Sequence, residues 1–257
     1  MANLFIALGG SGLKTVREIR EKNREGDYFL FIDTDTNDLV DAKGNPFPER
    51  EKVDLSKINV TSYLRTSSAN NEIRKNVDTW LDPSACETMK NGPLENGSSA
   101  NRPQGRLAIA SIAGDFKNKI KLIIKSIDDI HKNDNDKLQT FIVLSVAGGT
   151  GSSIYLDLTQ ILYDELYTLK GHFFRKPTAV LYMPDVFVGF QKGENVDQYK
   201  TNVFAFWKEL DAVQRDYFGS INKALITSND TNVANAAATR DTNFSKFAII
   251  ADKHNQG

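Results

Sequence analysis

The feature that most constrains this chain is a unit that occurs twice: a short, nearly all-apolar run, then a cluster of glycines, then a stretch with helical apolar period. In the first copy, residues 3–8 (NLFIAL) lead into Gly9-Gly10-Ser11-Gly12, and residues 13–22 read as an amphipathic helix. In the second, residues 140–146 (TFIVLSV) lead into Ala147-Gly148-Gly149-Thr150-Gly151-Ser152-Ser153, and residues 154–169 again carry an apolar face. A strand that is apolar on both faces has to be covered on both faces, so the pattern predicts parallel strands beneath helices.

Residues 28–32 (YFLFI), 178–183 (TAVLYM) and 247–251 read as further buried strands. Residues 106–131 carry Leu107, Ile109, Ile112, Phe116, Ile120, Ile123, Ile124 and Ile127 at spacings of three and four, which predicts one long amphipathic helix; residues 199–213 predict another. The alternation gives the expected fold class: α/β, a three-layer, Rossmann-like, mainly parallel sheet with helices on both faces. Residues 41–101 are polar and rich in Asn, Pro, Gly and Ser, with a helix expected at 72–81. They read as an elaborated surface excursion from a single domain spanning 1–257. Sheets of this kind bind ligands beyond the carboxyl ends of their strands, where both glycine clusters fall.

Composition narrows the function classes. With 32 Lys+Arg against 33 Asp+Glu, the net charge of -1 provides no global field for nucleic acid or anionic lipid, so an anion would have to be held locally. The single cysteine, Cys86, cannot form an internal disulfide, and the start MANLFIALGG lacks the basic segment and cleavage site of a secretory signal. No apolar run approaches the roughly 20 residues of a membrane-spanning helix. The expectation is a cytoplasmic protein without membrane insertion or a nucleic-acid partner. His131, His172 and His254 are scattered and form no zinc pattern, while Trp80 and Trp207 occupy apolar helical positions and read as core or interface residues.

The glycine clusters suit phosphate: no Cβ blocks close backbone approach, and a helix N-terminus stands behind each. Residues 9–12 alone also fit a tight strand-to-helix turn. A second loop at the same sheet edge, with the hydroxyls of Thr150, Ser152 and Ser153 added, points to a polyanionic ligand. Neither loop is a Walker A motif, because Leu13 and Ser152 stand where its lysine would be. Asp33 ends the second strand at about the place where a dinucleotide fold holds ribose, but GGSG does not fit GxGxxG. A dinucleotide-dependent oxidoreductase therefore stands as a rival reading, and a non-hydrolysing structural or interaction protein as another.

Four segments together resemble the tubulin/FtsZ superfamily. MANLFIALGGSGLKTV resembles its first nucleotide loop, FIDTDTNDL the strand and loop that follow, and AGGTGSS the GGGTG[ST]G motif. GSSANRPQGR, residues 97–106, resembles the loop that approaches the γ-phosphate and ends in Gly-Arg at a helix start. The motifs occur in family order over nearly the whole chain, and the form of the loops is closest to the bacterial tubulin-like proteins outside FtsZ proper. The resemblance implies a filament-forming cytoskeletal GTPase that takes GTP or GDP with Mg2+ and self-associates.

It also implies roles. Gly9, Gly10, Ser11 and Gly12 would contact the α- and β-phosphates, and Gly148, Gly149, Thr150, Gly151 and Ser152 would wrap the β-phosphate end. Asp33 and Asp35 would lie near the metal ion or its waters, and Ala100 and Asn101 would face the γ-phosphate. Arg106 would either stabilise phosphate charge or pair with a carboxylate. Residues 184–199 would reach the ribose through Asp185, Glu194, Asn195 or Asp197, while Asn202 and Asn255 are candidates for the guanine edge. The family's long central helix and second domain, with the acidic loop that acts across a subunit interface, do not occur within these residues. The expectation is a piece of a longer protein that binds nucleotide, contains no catalytic residue of its own, and depends on a partner subunit for hydrolysis.

Overall fold

The computed structural model describes residues 2–69, 77–78, 80–82, 89, 92–95, 97–131, 138–168, 176–188, 196–215 and 246–251. Among these, one fully parallel sheet runs in the order β3-β2-β1-β4-β5-β6. Its strands are β1 Asn3–Leu8, β2 Asp27–Asp33, β3 Lys52–Asp54, β4 Gln139–Ser145, β5 Thr178–Tyr182 and β6 Lys246–Ile250. The helices are α1 Gly9–Glu21, α2 Val60–Ala69, α3 Arg102–Ser111, α4 Ala113–His131, α5 Thr150–Thr168, the single turn α6 Asp185–Val188, and α7 Val196–Arg215.

The two-residue period of the central strands sorts their side chains into two cores. Leu4, Ile6 and Leu8 of β1 join Leu30, Ile32, Ile142 and Leu144 on one face, where α3, α4, α5 and α7 bring Leu107, Phe116, Ile154, Leu158 and Phe206. Ala7, Phe31 and Val143 face the other way and meet Leu13 and Val16 of α1. This is the three-layer α/β arrangement expected from the sequence. Leu8 pairs with Ile32 on one side and Leu144 on the other, so β1, β2 and β4 finish at a common level and their loops start together.

Close helix approach fixes where these loops go. A Cβ on Gly12 would collide with the carbonyl of Val143, so α1 lies hard against β4; one on Gly105 would meet Ser153 and the backbone of Gly149 and Thr150, where α3 crosses α5. Gly9 takes φ +70°, which lets the chain pass from β1 straight into α1 with no intervening residue. The first glycine cluster is therefore itself a helix N-terminus, whereas Gly148 and Gly149 form a short bend that leads into α5 at Thr150.

Two expectations are corrected. Residues 106–131 are not one helix: α3 ends at Ser111, Ile112 leaves helical geometry at φ -119° and ψ 22°, and α4 starts at Ala113. The apolar period survives the break because Leu107 and Ile109 of α3 enter the same core as Phe116, Ile120 and Ile124 of α4. Residues 41–101 are not only a surface excursion, since they add β3 to the sheet and bury Phe47, Val53, Leu55, Val60 and Leu94. Phe47 stacks on Phe31 with ring centres 3.7 Å apart. A three-residue strand is too short to show alternation, and single buried side chains among polar neighbours carry no period. Most of the helix expected at 72–81 lies outside the described residues, as do Cys86, His172 and His254. No helix among the described residues is long and apolar enough to cross a membrane.

Candidate functional site

Above the carboxyl ends of the central strands lies a cleft of about 550 Å³, within the range of small-molecule sites. The chain leaves β1 toward β2 and leaves β4 toward β5, so the strand order reverses between β1 and β4 and the cleft sits at that switch point. Gly9, Gly10 and Ser11 line one side and Gly148, Gly149, Thr150 and Gly151 the other. The positive ends of α1 and α5 thus open on one space. Gly97, Ser98, Ser99 and Ala100 form a third wall, Asp33, Asp35 and Asp38 a fourth, and Pro184, Val196 and Tyr199 lie on the side reached from β5.

A buried hydroxyl cluster joins three of these walls. Thr34 Oγ1 lies 2.7 Å from Thr150 Oγ1, Ser98 Oγ lies 3.2 Å from the same Thr150 oxygen, and the Ser98 backbone N–H donates to Thr34 Oγ1 at 2.9 Å. Beneath it, Asp33 Oδ1 accepts from the backbone N–H of Thr34 at 2.7 Å and of Asp35 at 3.3 Å, whereas its Oδ2 is buried without a hydrogen-bond partner. Burial, reinforced by the charge of Asp38, raises the Asp33 carboxyl to about 7 against the pull of the two N–H donors.

The wall at 97–100 has an uncommon backbone. Gly97 takes φ 80°, and the non-glycine residues Ser99 and Ala100 take 50° and 61°. Left-handed conformation at a non-glycine residue is unfavourable by roughly 1–2 kcal/mol and persists only where surroundings impose it. Here Gly149 gives the segment room, since a Cβ there would meet Ser98 Oγ and lie 2.9 Å from the backbone of Ala100. From behind, the Asn202 amide on α7 donates to the carbonyls of both Ala100 and Ala147, each at 2.8 Å. Arg102 makes a second tie: it donates to Ser152 Oγ at 3.0 Å and Ser152 O at 3.1 Å while pairing with both carboxylate oxygens of Glu209 on α7.

Most of the residues singled out in the sequence meet at this cleft: Gly9, Gly10, Ser11, Asp33, Asp35, Ala100, Gly148, Gly149, Thr150 and Gly151 all line it. Others have different placements. Gly12 serves the α1–β4 contact. Asn101 caps α3, its Oδ1 accepting from the Gln104 N–H at 3.1 Å, with Pro103 in the first turn. Ser152 donates to the Gly148 carbonyl and accepts from Arg102. Asp185 starts α6 and Asn202 bridges two loops; neither lines the cleft. Asn255 lies outside the described residues. Arg106 is not at a helix start, because the Asn101 cap begins α3 four residues earlier; its Nε bonds Asp157 at 3.1 Å and its guanidinium lies 4.4 Å over the Trp80 ring. The carboxylate-paired alternative is the one found.

Sequence reasoning gave no role to Lys14 and Asp38, and reached Ser98, Ser99 and Tyr199 only as members of the segments 97–106 and 184–199; all five line the cleft. Lys14 is exposed on the first turn of α1 and makes no hydrogen bond or ion pair with the described residues. Its signal was its place two residues after Gly12. It is the one basic side chain among the described lining residues, against three aspartates. That balance suits an anion only if a cation accompanies it, and the unpartnered buried Asp33 Oδ2 is a fitting oxygen for such a cation or its water. Asp35 fits less well, since its Oδ1 accepts from the Asn37 N–H and the Asn37 side-chain amide. Among the described residues no group of three or more His, Cys, Asp or Glu converges as a metal cage.

Solved structures similar to the chain include CetZ1 from Haloferax volcanii as a GDP-bound monomer, at 19% identity over 81% of this chain and 47% of that one, with a TM-score of 0.47. CetZ from Methanosaeta thermophila is similar at 15% identity over 92% and 52%, with a TM-score of 0.43. A GTPγS-form protofilament of TubZ from Bacillus thuringiensis is similar at 11% identity over 85% and 45%, with a TM-score of 0.45. These likenesses are distant, and the chain spans about half the length of these solved chains. Among curated proteins none matches. The family model described as "Tubulin like" matches residues 4–246, from the first strand to the start of the last. On that match, which takes in every cleft-lining loop, the chain belongs to the tubulin-like family.

Proposed function

We propose that the cleft binds a guanine nucleotide, GTP or GDP, with Mg2+, and that the chain is the nucleotide-binding part of a filament-forming, tubulin-like GTPase. The observation that carries this is the convergence of two glycine-rich helix N-termini on one cleft at the strand switch point. Residues 9–11 and 148–151 hold the phosphate chain, Ser99 and Ala100 flank its far end, and Asp33 Oδ2 faces the cation. The cation supplies charge neutralisation between phosphate and the three aspartates. Pro184, Val196 and Tyr199 leave the nucleoside an apolar side to rest on. Hydrolysis requires the acidic loop of the family's second domain, supplied by a partner subunit, so these residues by themselves bind nucleotide and scarcely turn it over. The dinucleotide reading keeps one support, the strand order, which dinucleotide folds share; the second Gly/Ser/Thr loop at residues 148–153 opposes it, since a dinucleotide fold has no need of one on a later strand.

The test is calorimetric titration of the protein with GTP, GDP, ATP and NADH in magnesium buffer. Micromolar binding of GTP and GDP that disappears in Gly149→Val supports the proposal. Selective NADH binding, or phosphate release from GTP at a rate that rises with protein concentration, overturns it.

A further inference from the structure

We propose that Asn202, which lies outside the cleft, is a positioning residue that sets the separation of its two closing walls and through them the affinity for the ligand's polyphosphate end. The proposal rests on the nucleotide reading of the cleft. Asn202 is 3% exposed, and its two amide hydrogens go to carbonyls on different walls, Ala100 O and Ala147 O, at 2.8 Å each. The orientation of the amide is fixed, because Gln198 Nε2 donates to its Oδ1 at 3.1 Å and two carbonyls can face only the NH2 end.

Beyond the ties of Ser98 to Thr34 and Thr150 and of Ser152 to the Gly148 carbonyl, both walls are irregular backbone. Ser99 and Ala100 sit in left-handed conformation, and residues 146–149 are in neither helix nor strand. The carbonyl that Asn202 grips belongs to Ala100 itself, the residue at φ 61°. Seven residues along, two turns of the same helix, Glu209 holds Arg102, which in turn holds Ser152 at the start of α5. Helix α7 therefore fastens to both walls at two levels, and it does so next to Val196 and Tyr199, its own residues in the cleft lining. A helix that touches the ligand pocket at its first turn and ties the phosphate walls together farther along makes cleft width a property of that helix.

The variants Asn202→Leu and Asn202→Asp test this, with Thr201→Ala on the exposed side of α7 as a control. Leu removes both bonds; Asp keeps the size but turns a carboxylate toward two carbonyls. Amide hydrogen exchange at residues 98–101 and 147–151 is followed in the ligand-free protein, alongside equilibrium and stopped-flow binding of GTP. Expected are faster exchange confined to those two segments, with the central strands unchanged, and GTP affinity weakened by about tenfold to a hundredfold, chiefly through faster dissociation. Thr201→Ala changes neither. Unchanged exchange in both Asn202 variants, or exchange raised without any change in GTP dissociation, overturns the proposal. If the unsubstituted protein binds no GTP, the functional reading fails, while local exchange in the two walls still decides whether Asn202 holds them.

Discussion

Thr34 Oγ1 and Thr150 Oγ1 lie 2.7 Å apart, both buried, and join the end of β2 to the start of α5 across 116 residues of sequence. Ser98 completes the group, so the three walls that would surround a phosphate share one hydrogen-bonded centre. Replacing either threonine by valine leaves buried partners unsatisfied and destabilises by about 1–3 kcal/mol. The double variant loses less than the sum, because the second change removes a partner already orphaned. Urea denaturation of the two single variants and the double variant measures that coupling; strict additivity would show the pair to be independent.

Gly149 has Ser98 Oγ and the Ala100 backbone where a Cβ would stand. Alanine there pushes the 97–100 wall outward and is expected to lower stability by about 1–3 kcal/mol, with valine worse and nucleotide affinity falling before the fold does. Thermal melts with and without GTP separate the two effects. A Gly149→Ala protein that binds as tightly as the original would show that the wall does not touch ligand.

The buried Asp33 gives a pH dependence opposite in sign to that of a salt-bridged carboxylate. Its folded value, about 7, lies above the ordinary 3.8, so the folded state binds the proton more tightly than the unfolded state. Stability from this group is full below about pH 4, declines as pH rises to about 7 and is level above that, with a total of up to about 4 kcal/mol. Asp33→Asn removes that decline. Denaturation midpoints of the ligand-free protein at several pH values check it, and parallel slopes in both proteins would refute it.

Arg106 and Asp157 form an ion pair whose carboxylate is 1% exposed. Arg106→Met removes the guanidinium from that buried carboxylate and is expected to destabilise by about 3–5 kcal/mol, while Arg106→Met with Asp157→Leu recovers much of the loss. GTP affinity of the folded fraction stays the same in both. A loss of affinity without a loss of stability would restore the phosphate role that the sequence left open.

The sheet and the two glycine loops were legible because their signals are local. Residues 3–8 match β1 end for end, and the glycines announce the close contacts of Gly9, Gly149 and Gly151. The third wall was legible only through the family motif, since GSSAN carries no apolar period and nothing in its letters announces positive φ at Ser99 and Ala100. Asn202 and Arg102 show the limit most clearly. Asn202 was singled out for the guanine edge rather than for a bridge between loops, Arg102 after a cap was given no role, and the buried roles of both depend on partners 50 to 107 positions away. Lys14 and Asp38 were overlooked for a different reason: each stands within a recognised segment but past the residues given a role there, and only the turn of α1 and the short helical turn at Thr36–Asp38 bring them back over the cleft.

The level finish of β1, β2 and β4, with Leu8 opposite both Ile32 and Leu144, divides the chain into parts that can change length and parts that cannot. Two residues added to or deleted from β1 would keep every side chain on its proper face, yet would displace Gly9 by about 6.6 Å relative to Thr150 and separate the two helix starts. The same change at the turn around Gly44, where a Cβ would meet nothing within 4 Å, leaves the strand ends aligned. Descendants of this sequence are therefore expected to differ in length in that outer turn and to keep the count from Asn3 to Gly12 and from Gln139 to Gly151 unaltered.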